Sequence, residues 1–375
     1  MKKVVAIFLL FTILLSSNSL SCVALDNTSK KNEYTYKVTP ESLQWKEFNS
    51  HQEMVDACQI PYDEIEKMTT EELISAYLNY PLLGDMYAYS SMEIGFNAMR
   101  NQCNALNELL YREDIGEVLL TEYEGAELYN SITVQDATFN DFFKPSVLEI
   151  LASQPEVISN MDSLVSEALE AAIYKKCAEK PSDIYGATKN SYSIPKPDTE
   201  SEFAVIKDNS LYIANSIRSI SISTSDFNWN YSVKTPNNTS VQVGVLKSGK
   251  ELTSSEKTIC NNYVETAYPG ATFVSTATKK YNCHSYAWYS QSTSNGYWMD
   301  SPAAYMSDGS YTKSGIKVGN IICYGNEEHS GVVSLVKVGY SGCYVKSKWG
   351  FYGLYNHYYN LCPYSTSNLT YWSSK

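Results

Sequence analysis

Histidine is scarce in this chain, which has four histidines among 375 residues. No two cysteines have the C-x-x-C spacing and no H-E-x-x-H occurs, so the short ligand spacings of structural zinc sites and zincins are absent. Basic residues are also few, with 29 Lys and Arg against 41 Asp and Glu. The net charge of −12 argues against a nucleic-acid partner, because such proteins neutralise phosphates with Lys and Arg. We therefore predict no metal, no cofactor and no nucleic acid.

Long apolar runs are missing after the first two dozen residues, where none reaches the ~18 residues that a membrane span requires. The start of the chain differs. Lys2 and Lys3 precede the apolar run Val4–Leu15, and a small-residue stretch follows up to Ala24. This order of charge, apolar core and small residues predicts a signal peptide over residues 1–24 and a secreted, extracellular product.

Charge divides the remaining chain into unlike parts. Residues 25–180 carry 28 acidic and 11 basic side chains, whereas residues 281–375 carry 4 and 6, together with 15 tyrosines. With 43% hydrophobic residues the chain can bury cores, and its length is enough for two domains. We predict a multidomain protein with an acidic helical domain (25–180), a Ser/Thr/Asn-rich linker with short strands (181–240) and a C-terminal domain (241–375).

The acidic domain is predicted to be all-α. Thr69 and Glu72 form a capping-box pattern at the start of an apolar periodicity that runs to Leu78. Two further segments, Ile94–Tyr111 and Pro155–Lys180, carry apolar residues at helical spacing. No chemistry is evident in this domain, and a protein partner is one possible use for it.

The candidate nucleophile is Cys283, which follows Asn282 directly in the segment KKYNCHSYAWYS. Asn is a good helix N-cap, and Tyr286, Ala287 and Ser290 continue at helical spacing. A thiol on the first turn of a helix lies at the positive end of the helix dipole, which favours the reactive thiolate. We therefore expect Cys283 to have a lowered pKa.

Three strands joined by short Gly-bearing turns are predicted downstream: Ile316–Tyr324, His329–Val338 and Cys343–Trp349. His329 opens the second strand. A cysteine at a helix start and a histidine at the start of an adjoining strand form the arrangement that a thiol nucleophile and its base require. Adjacent helical positions diverge, so the rival base His284 is expected to face elsewhere, as a pocket wall or surface residue.

The helix-borne cysteine, VGNIICYG and HSGVV together resemble the papain-like cysteine amidases and peptidases of bacterial cell walls, the NlpC/P60 and CHAP families. The resemblance covers about Glu251–Lys375. It implies an α+β papain-like fold, in which a helix bearing the cysteine packs on an antiparallel sheet, with Cys283 as nucleophile and His329 as base. These families usually orient the histidine with a polar residue on the next strand. Here Ser347 would take that role, with Asn356 and His357 as alternatives.

Aromatic and polar residues near these positions are candidate substrate contacts: Tyr281, Asn282, Trp349 and His357. The function predicted from the resemblance is a secreted cysteine amidase or endopeptidase that cleaves an amide bond, with peptidoglycan or a peptide as substrate. Three alternatives remain open. The domain could be an inactive binding module of the same fold, or a transglutaminase-like acyl transferase. It could also bind a metal through a set of five residues: Cys323, His329, Cys343, His357 and Cys362.

Overall fold

The computed structural model describes residues 34–130, 133, 137–179, 226–337, 339 and 341–375. The predicted signal peptide and most of the predicted linker lie outside these residues. No helix in the described part of the chain is long and apolar enough to cross a membrane.

The first part of the described chain is helical. Its α-helices, in chain order, are α1 (His51–Ala57), α2 (Tyr62–Ile65), α3 (Thr70–Leu78), α4 (Met92–Gln102), α5 (Asn104–Leu109), α6 (Ile115–Gly125), α7 (Phe139–Ala152), α8 (Pro155–Asn160) and α9 (Ser163–Glu179). Two 3₁₀ segments, Gln44–Glu47 and Leu83–Ala88, accompany them. The predicted capping box is confirmed at the start of α3, where the Thr69 side chain and Glu72 each accept from the other's backbone N–H.

Sequence periodicity missed two helix breaks. The predicted segment Ile94–Tyr111 contains α4 and α5, which are interrupted by Cys103 in an extended conformation. The next residue, Asn104, binds both backbone polar groups of Ile60, accepting from its N–H at 3.2 Å and donating to its carbonyl at 2.7 Å. This contact, distant in sequence, accounts for the break. The described part of the predicted segment that begins at Pro155, residues 155–179, is likewise two helices, α8 and α9.

The C-terminal part is rich in antiparallel sheet. Its strands are β1 (Phe227–Lys234), β2 (Ser240–Leu246), β3 (Thr272–Ser275), β4 (Tyr311–Ser314), β5 (Ile321–Tyr324), β6 (His329–Leu335), β7 (Tyr344–Lys348), β8 (Leu354–Tyr358) and β9 (Thr370–Ser374). Helices α10 (Ser254–Ala267) and α11 (Ala303–Ser307) and a π-helical segment, Ser285–Tyr289, lie between them. Strands β1 and β2 form a hairpin, and the other seven form one sheet in the order β3-β8-β7-β6-β5-β9-β4, all antiparallel. A helical N-terminal region followed by antiparallel sheet confirms the coarse fold prediction.

The two faces of this sheet belong to different cores, because successive side chains on a strand point to opposite sides. One face packs into the large core that also contains the helices, through residues including Ile322, Tyr324, Val333 and Val345. The other face packs on the π-helical segment, through Ile321, Cys323, Val332 and Leu354. The sheet is therefore the middle layer of the described structure.

The helical region and the C-terminal region share the large core and several buried hydrogen bonds. The Trp45 indole N–H donates to the Ala267 carbonyl at 2.8 Å. Asp85, in the 3₁₀ segment, accepts from the Tyr263 hydroxyl at 2.9 Å and the Tyr268 hydroxyl at 2.7 Å. The described residues from 34 onward accordingly form one compact unit.

Candidate active site

Cys283 begins a helical turn that Asn282 caps, as the sequence predicts. The Asn282 side-chain oxygen accepts from the Ser285 N–H at 3.1 Å, and its carbonyl accepts from the Tyr286 N–H at 3.0 Å. The same side chain exchanges two hydrogen bonds with the backbone of Met299, at 2.7 and 3.1 Å. Asn282 is fully buried and all these bonds are internal. It positions the cysteine rather than lining an open surface.

The Cys283 thiol is buried, with 4% of the residue exposed. Burial raises its pKa to about 11, although the amides of Ser330 and His284 and the charge of Lys348 oppose the rise. The expected lowering of the Cys283 pKa is therefore wrong for this structure. Desolvation disfavours the charged form of a buried thiol, and here it outweighs the local dipoles. The group at rest is a thiol.

His329 opens β6 and pairs with Tyr324 of β5. Its imidazole is completely buried, and its ring lies 3.5 Å from the ring of Tyr364, centroid to centroid. Burial lowers the pKa of His329 well below its usual value, so the ring is neutral. Neither ring nitrogen has a hydrogen-bond partner among the described residues. A buried histidine with two free nitrogens is uncommon, because such groups are normally paired.

The structure brings the cysteine turn and the histidine strand together. His284, which follows Cys283, has its Nδ1 2.9 Å from the hydroxyl of Ser330, which follows His329 in β6. No hydrogen bond joins the thiol to the imidazole, since both ring nitrogens of His329 lack one. The residues that follow Cys283 and His329 are therefore hydrogen-bonded to each other, whereas the thiol and the imidazole are not.

Ser347 does not reach His329. It bonds instead to His357 across the β7–β8 hairpin, Oγ to Nε2, at 2.8 Å. The other ring nitrogen of His357 lies 2.9 Å from the Tyr358 carbonyl, which can only accept, so Nε2 is the acceptor and the Ser347 hydroxyl donates. The Trp349 indole N–H donates to Ser347 at 3.0 Å. The role of Ser347 in this site is to satisfy a buried histidine.

A second network of the same composition lies on the other face of the sheet. The Trp288 indole N–H donates to Ser330 Oγ at 2.9 Å, and that hydroxyl lies 2.9 Å from His284 Nδ1. Burial lowers the pKa of His284 to about 4. His284 is thus a neutral imidazole held by Ser330. His284 is buried, which excludes the surface position that was one of its two expected placements.

The other predicted contacts are buried as well: Tyr281, Trp349 and His357 have 1% exposure or less. None of them faces solvent. Asn356, an alternative partner for the base, accepts a hydrogen bond from Ser334 at 2.5 Å. No group of three or more His, Cys, Asp or Glu in the described chain is placed to hold a metal ion, so the set that includes Cys323 is not gathered.

Sequence reasoning missed two residues of this region. Lys348 is fully buried beside the segment that leads to Cys283, and Tyr364 covers His329. Lysines alternate along β7, which ordinarily indicates a solvent-exposed face, and Tyr364 lies in a loop between β8 and β9 with no distinguishing pattern. Comparison of the chain with protein-family models, with curated proteins and with solved structures gives no match.

Proposed function

We propose that the chain is a cysteine amidase or endopeptidase with a papain-like C-terminal region, whose nucleophile is Cys283 and whose base is His329. The observation that supports this most directly is the packing of a capped cysteine turn against the strand that His329 opens. His284 and Trp288, from the same turn as Cys283, both bond to the hydroxyl of Ser330, the residue after His329. The other three histidines are bound to Asp85, Ser330 and Ser347, which leaves His329 free to exchange a proton.

In the proposed reaction the His329 imidazole accepts the thiol proton as the sulfur attacks the carbonyl carbon of an amide. The carbon–sulfur bond forms and the carbon–nitrogen bond breaks. The amine leaves with the proton that the imidazolium returns, and water then cleaves the thioester to give the acid and the free thiol. The amides of Ser330 and His284 are candidates to stabilise negative charge near the sulfur.

The described arrangement corresponds to a resting form of such an enzyme. Burial keeps the thiol of Cys283 protonated and the imidazole of His329 neutral, so the pair is not a preformed ion pair. Catalysis in this proposal requires the two side chains to approach each other and the substrate to gain access. Tyr364 must then leave the ring of His329.

The substrate class in this proposal is the peptide part of peptidoglycan, and the site of action is outside the cell. Both follow from the resemblance of VGNIICYG and HSGVV to cell-wall hydrolases and from the signal-peptide pattern of residues 1–24. Acyl transfer to an amine would use the same thioester and differs in the acceptor.

A second candidate function is a secreted binding module of the same fold without activity. It is favoured by one specific observation, the covered and unengaged imidazole of His329. In that case Cys283 and His329 would be ordinary buried residues.

The deciding experiment incubates the purified protein with peptidoglycan and identifies released fragments by mass spectrometry, with and without an added amine. Wild type and the control variant Cys58→Ala, which removes another buried free thiol, should release the same fragments. Cys283→Ala and His329→Ala should release none. Fragments that carry the added amine indicate transfer. Absence of fragments from wild type, or equal release by Cys283→Ala, contradicts the proposal.

A further inference from the structure

Lys348 is a fully buried lysine at the end of β7. Its ammonium donates three hydrogen bonds to backbone carbonyls: to Thr278 at 2.9 Å, to Gly350 at 2.7 Å and to Tyr352 at 2.5 Å. An ammonium has three N–H donors and no acceptor, so this set uses all of them. The three carbonyls favour the charged form against the effect of burial, which lowers the pKa of Lys348 to about 7.

These contacts join two parts of the candidate site. Gly350 and Tyr352 belong to the connection between β7 and β8, whereas Thr278 belongs to the segment that leads into the cysteine turn. The ammonium also lies 5.2 Å from the centre of the Tyr281 ring, a cation–π contact two residues before Cys283. Lys348 thus contacts the segment that precedes Cys283 at two points, the Thr278 carbonyl and the Tyr281 ring.

The charge of Lys348 also acts on the sulfur. It lowers the pKa of Cys283, but burial leaves that pKa at about 11 and the pKa of Lys348 at about 7, so the ammonium loses its proton before the thiolate forms. The other ionisable groups that act on the ammonium are the Glu251 carboxylate, the Cys260 thiol and the Lys257 ammonium. Glu251 is occupied by Thr278 and Lys279, whose hydroxyl and N–H donate to it.

We propose that Lys348 is a positioning residue for Cys283: its hydrogen bond to Thr278 and its contact with the Tyr281 ring fix the segment that carries the thiol. Its meaning for catalysis rests on the proposed function, but the effect on the accessibility of the thiol is a property of the folded chain. That effect is measurable without a substrate.

The test is the rate of Cys283 alkylation by N-ethylmaleimide at pH 6.5, followed by mass spectrometry of its peptide, with the buried thiol of Cys58 as internal reference. Lys348→Met leaves the Thr278 carbonyl without its donor and loosens the segment before the thiol, so Cys283 is expected to react about tenfold faster while Cys58 does not change. Lys348→Arg keeps the donors and should react at a rate closer to that of wild type. Lys346→Met, two residues earlier on the same strand, should match wild type.

An unchanged Cys283 rate in a Lys348→Met variant with native near-ultraviolet circular dichroism overturns the proposal, and so does equal acceleration at Cys58, which reports a general loosening of the fold. If that variant does not fold, hydrogen exchange of the wild-type protein decides. The amides of residues 278–283 should lose protection between pH 6 and pH 8, because the Lys348 ammonium loses its proton at about pH 7, and the amides of α3 should not. Equal protection of residues 278–283 at the two pH values overturns the proposal.

The peptidoglycan assay on the same variants separates the two proposals. Faster Cys283 alkylation in Lys348→Met, without any amide cleavage by wild type, leaves Lys348 as a positioning residue and refutes the enzyme. Amide cleavage by wild type, with an unchanged alkylation rate in Lys348→Met, supports the enzyme and refutes the role of Lys348.

Discussion

The ring of Tyr364 lies flat on the imidazole of His329, with the two planes 7° apart. The Tyr364 hydroxyl donates to the Ala88 carbonyl at 2.6 Å, and the Tyr89 hydroxyl donates to the Pro363 carbonyl at 2.8 Å. Ala88 and Tyr89 both belong to the helical region. That region therefore holds in place the side chain that covers the candidate base.

Tyr364→Ala is expected to uncover His329. Because burial is the main cause of the low pKa of His329, access of water should raise that pKa toward its usual value near 6.5. The measurement is an NMR pH titration of the histidine ring protons, assigned with His329→Gln. Tyr364→Phe is the matched control, since it keeps the stacked ring and loses the bond to Ala88. An unchanged His329 titration in Tyr364→Ala would show that this ring is not what excludes water.

Asp85→Asn is expected to destabilise the fold. The fully buried carboxylate accepts from His51 Nε2 at 2.8 Å and from the hydroxyls of Tyr263 and Tyr268. An amide replaces one acceptor oxygen by a donor, and we expect a loss of about 3 kcal/mol in the free energy of unfolding. Urea denaturation measures this. Asp63→Asn, whose carboxylate is exposed in a surface ion pair, should change the free energy by less than about 0.5 kcal/mol. Equal effects of the two substitutions would contradict the assignment.

Ser347→Ala should lower stability without changing the chemistry of Cys283. It leaves His357 Nε2 and the Trp349 indole N–H without their partner, which should cost about 1–2 kcal/mol of unfolding free energy. Ser373→Ala, at an exposed hydroxyl, is the control and should be neutral. A fall in Cys283 alkylation rate or in amide cleavage would instead identify Ser347 as the third catalytic residue.

Acid should destabilise the protein through its buried histidines. Burial lowers the pKa of His284 and His357 to about 4, so between about pH 6.5 and 4 the unfolded chain binds protons that the folded chain does not. Stability is then fully present above pH 6.5 and is lost as the pH falls, by up to about 3 kcal/mol per histidine. Urea midpoints between pH 7.5 and 4 measure the slope, and His357→Gln should make it shallower. An equal slope in that variant would falsify the contribution of His357.

Local patterns were sufficient for several features of this molecule. The capping box of Thr69 and Glu72, the Asn282 cap and the strands β5, β6 and β7 depend on neighbouring residues, and the structure contains all of them. Strands β8 and β9 were not predicted, because their tyrosine-rich stretches show no clear alternation of apolar and polar residues.

The state of the candidate site could not be predicted from local patterns, because it depends on burial. Asn282 and the helical turn favour a thiolate at Cys283, yet the surrounding layers remove water and raise its pKa. Likewise, Ser347 is close to His357 through the register of the β7–β8 hairpin, in which Val345 pairs with His357. That register is set by the pairing of two strands, one of which had no sequence signal.

The buried bonds between the helical region and the C-terminal region have a practical consequence for any attempt to divide the protein. A fragment that starts at Asp226 would expose Tyr263, Tyr268 and Tyr352, whose hydroxyls bind Asp85 and the Gly84 carbonyl in the intact chain. Such a surface favours aggregation. Co-expression of residues 34–179 with residues 226–375 should instead yield a noncovalent heterodimer. Fragment complementation is therefore a better route than truncation for assaying the C-terminal region.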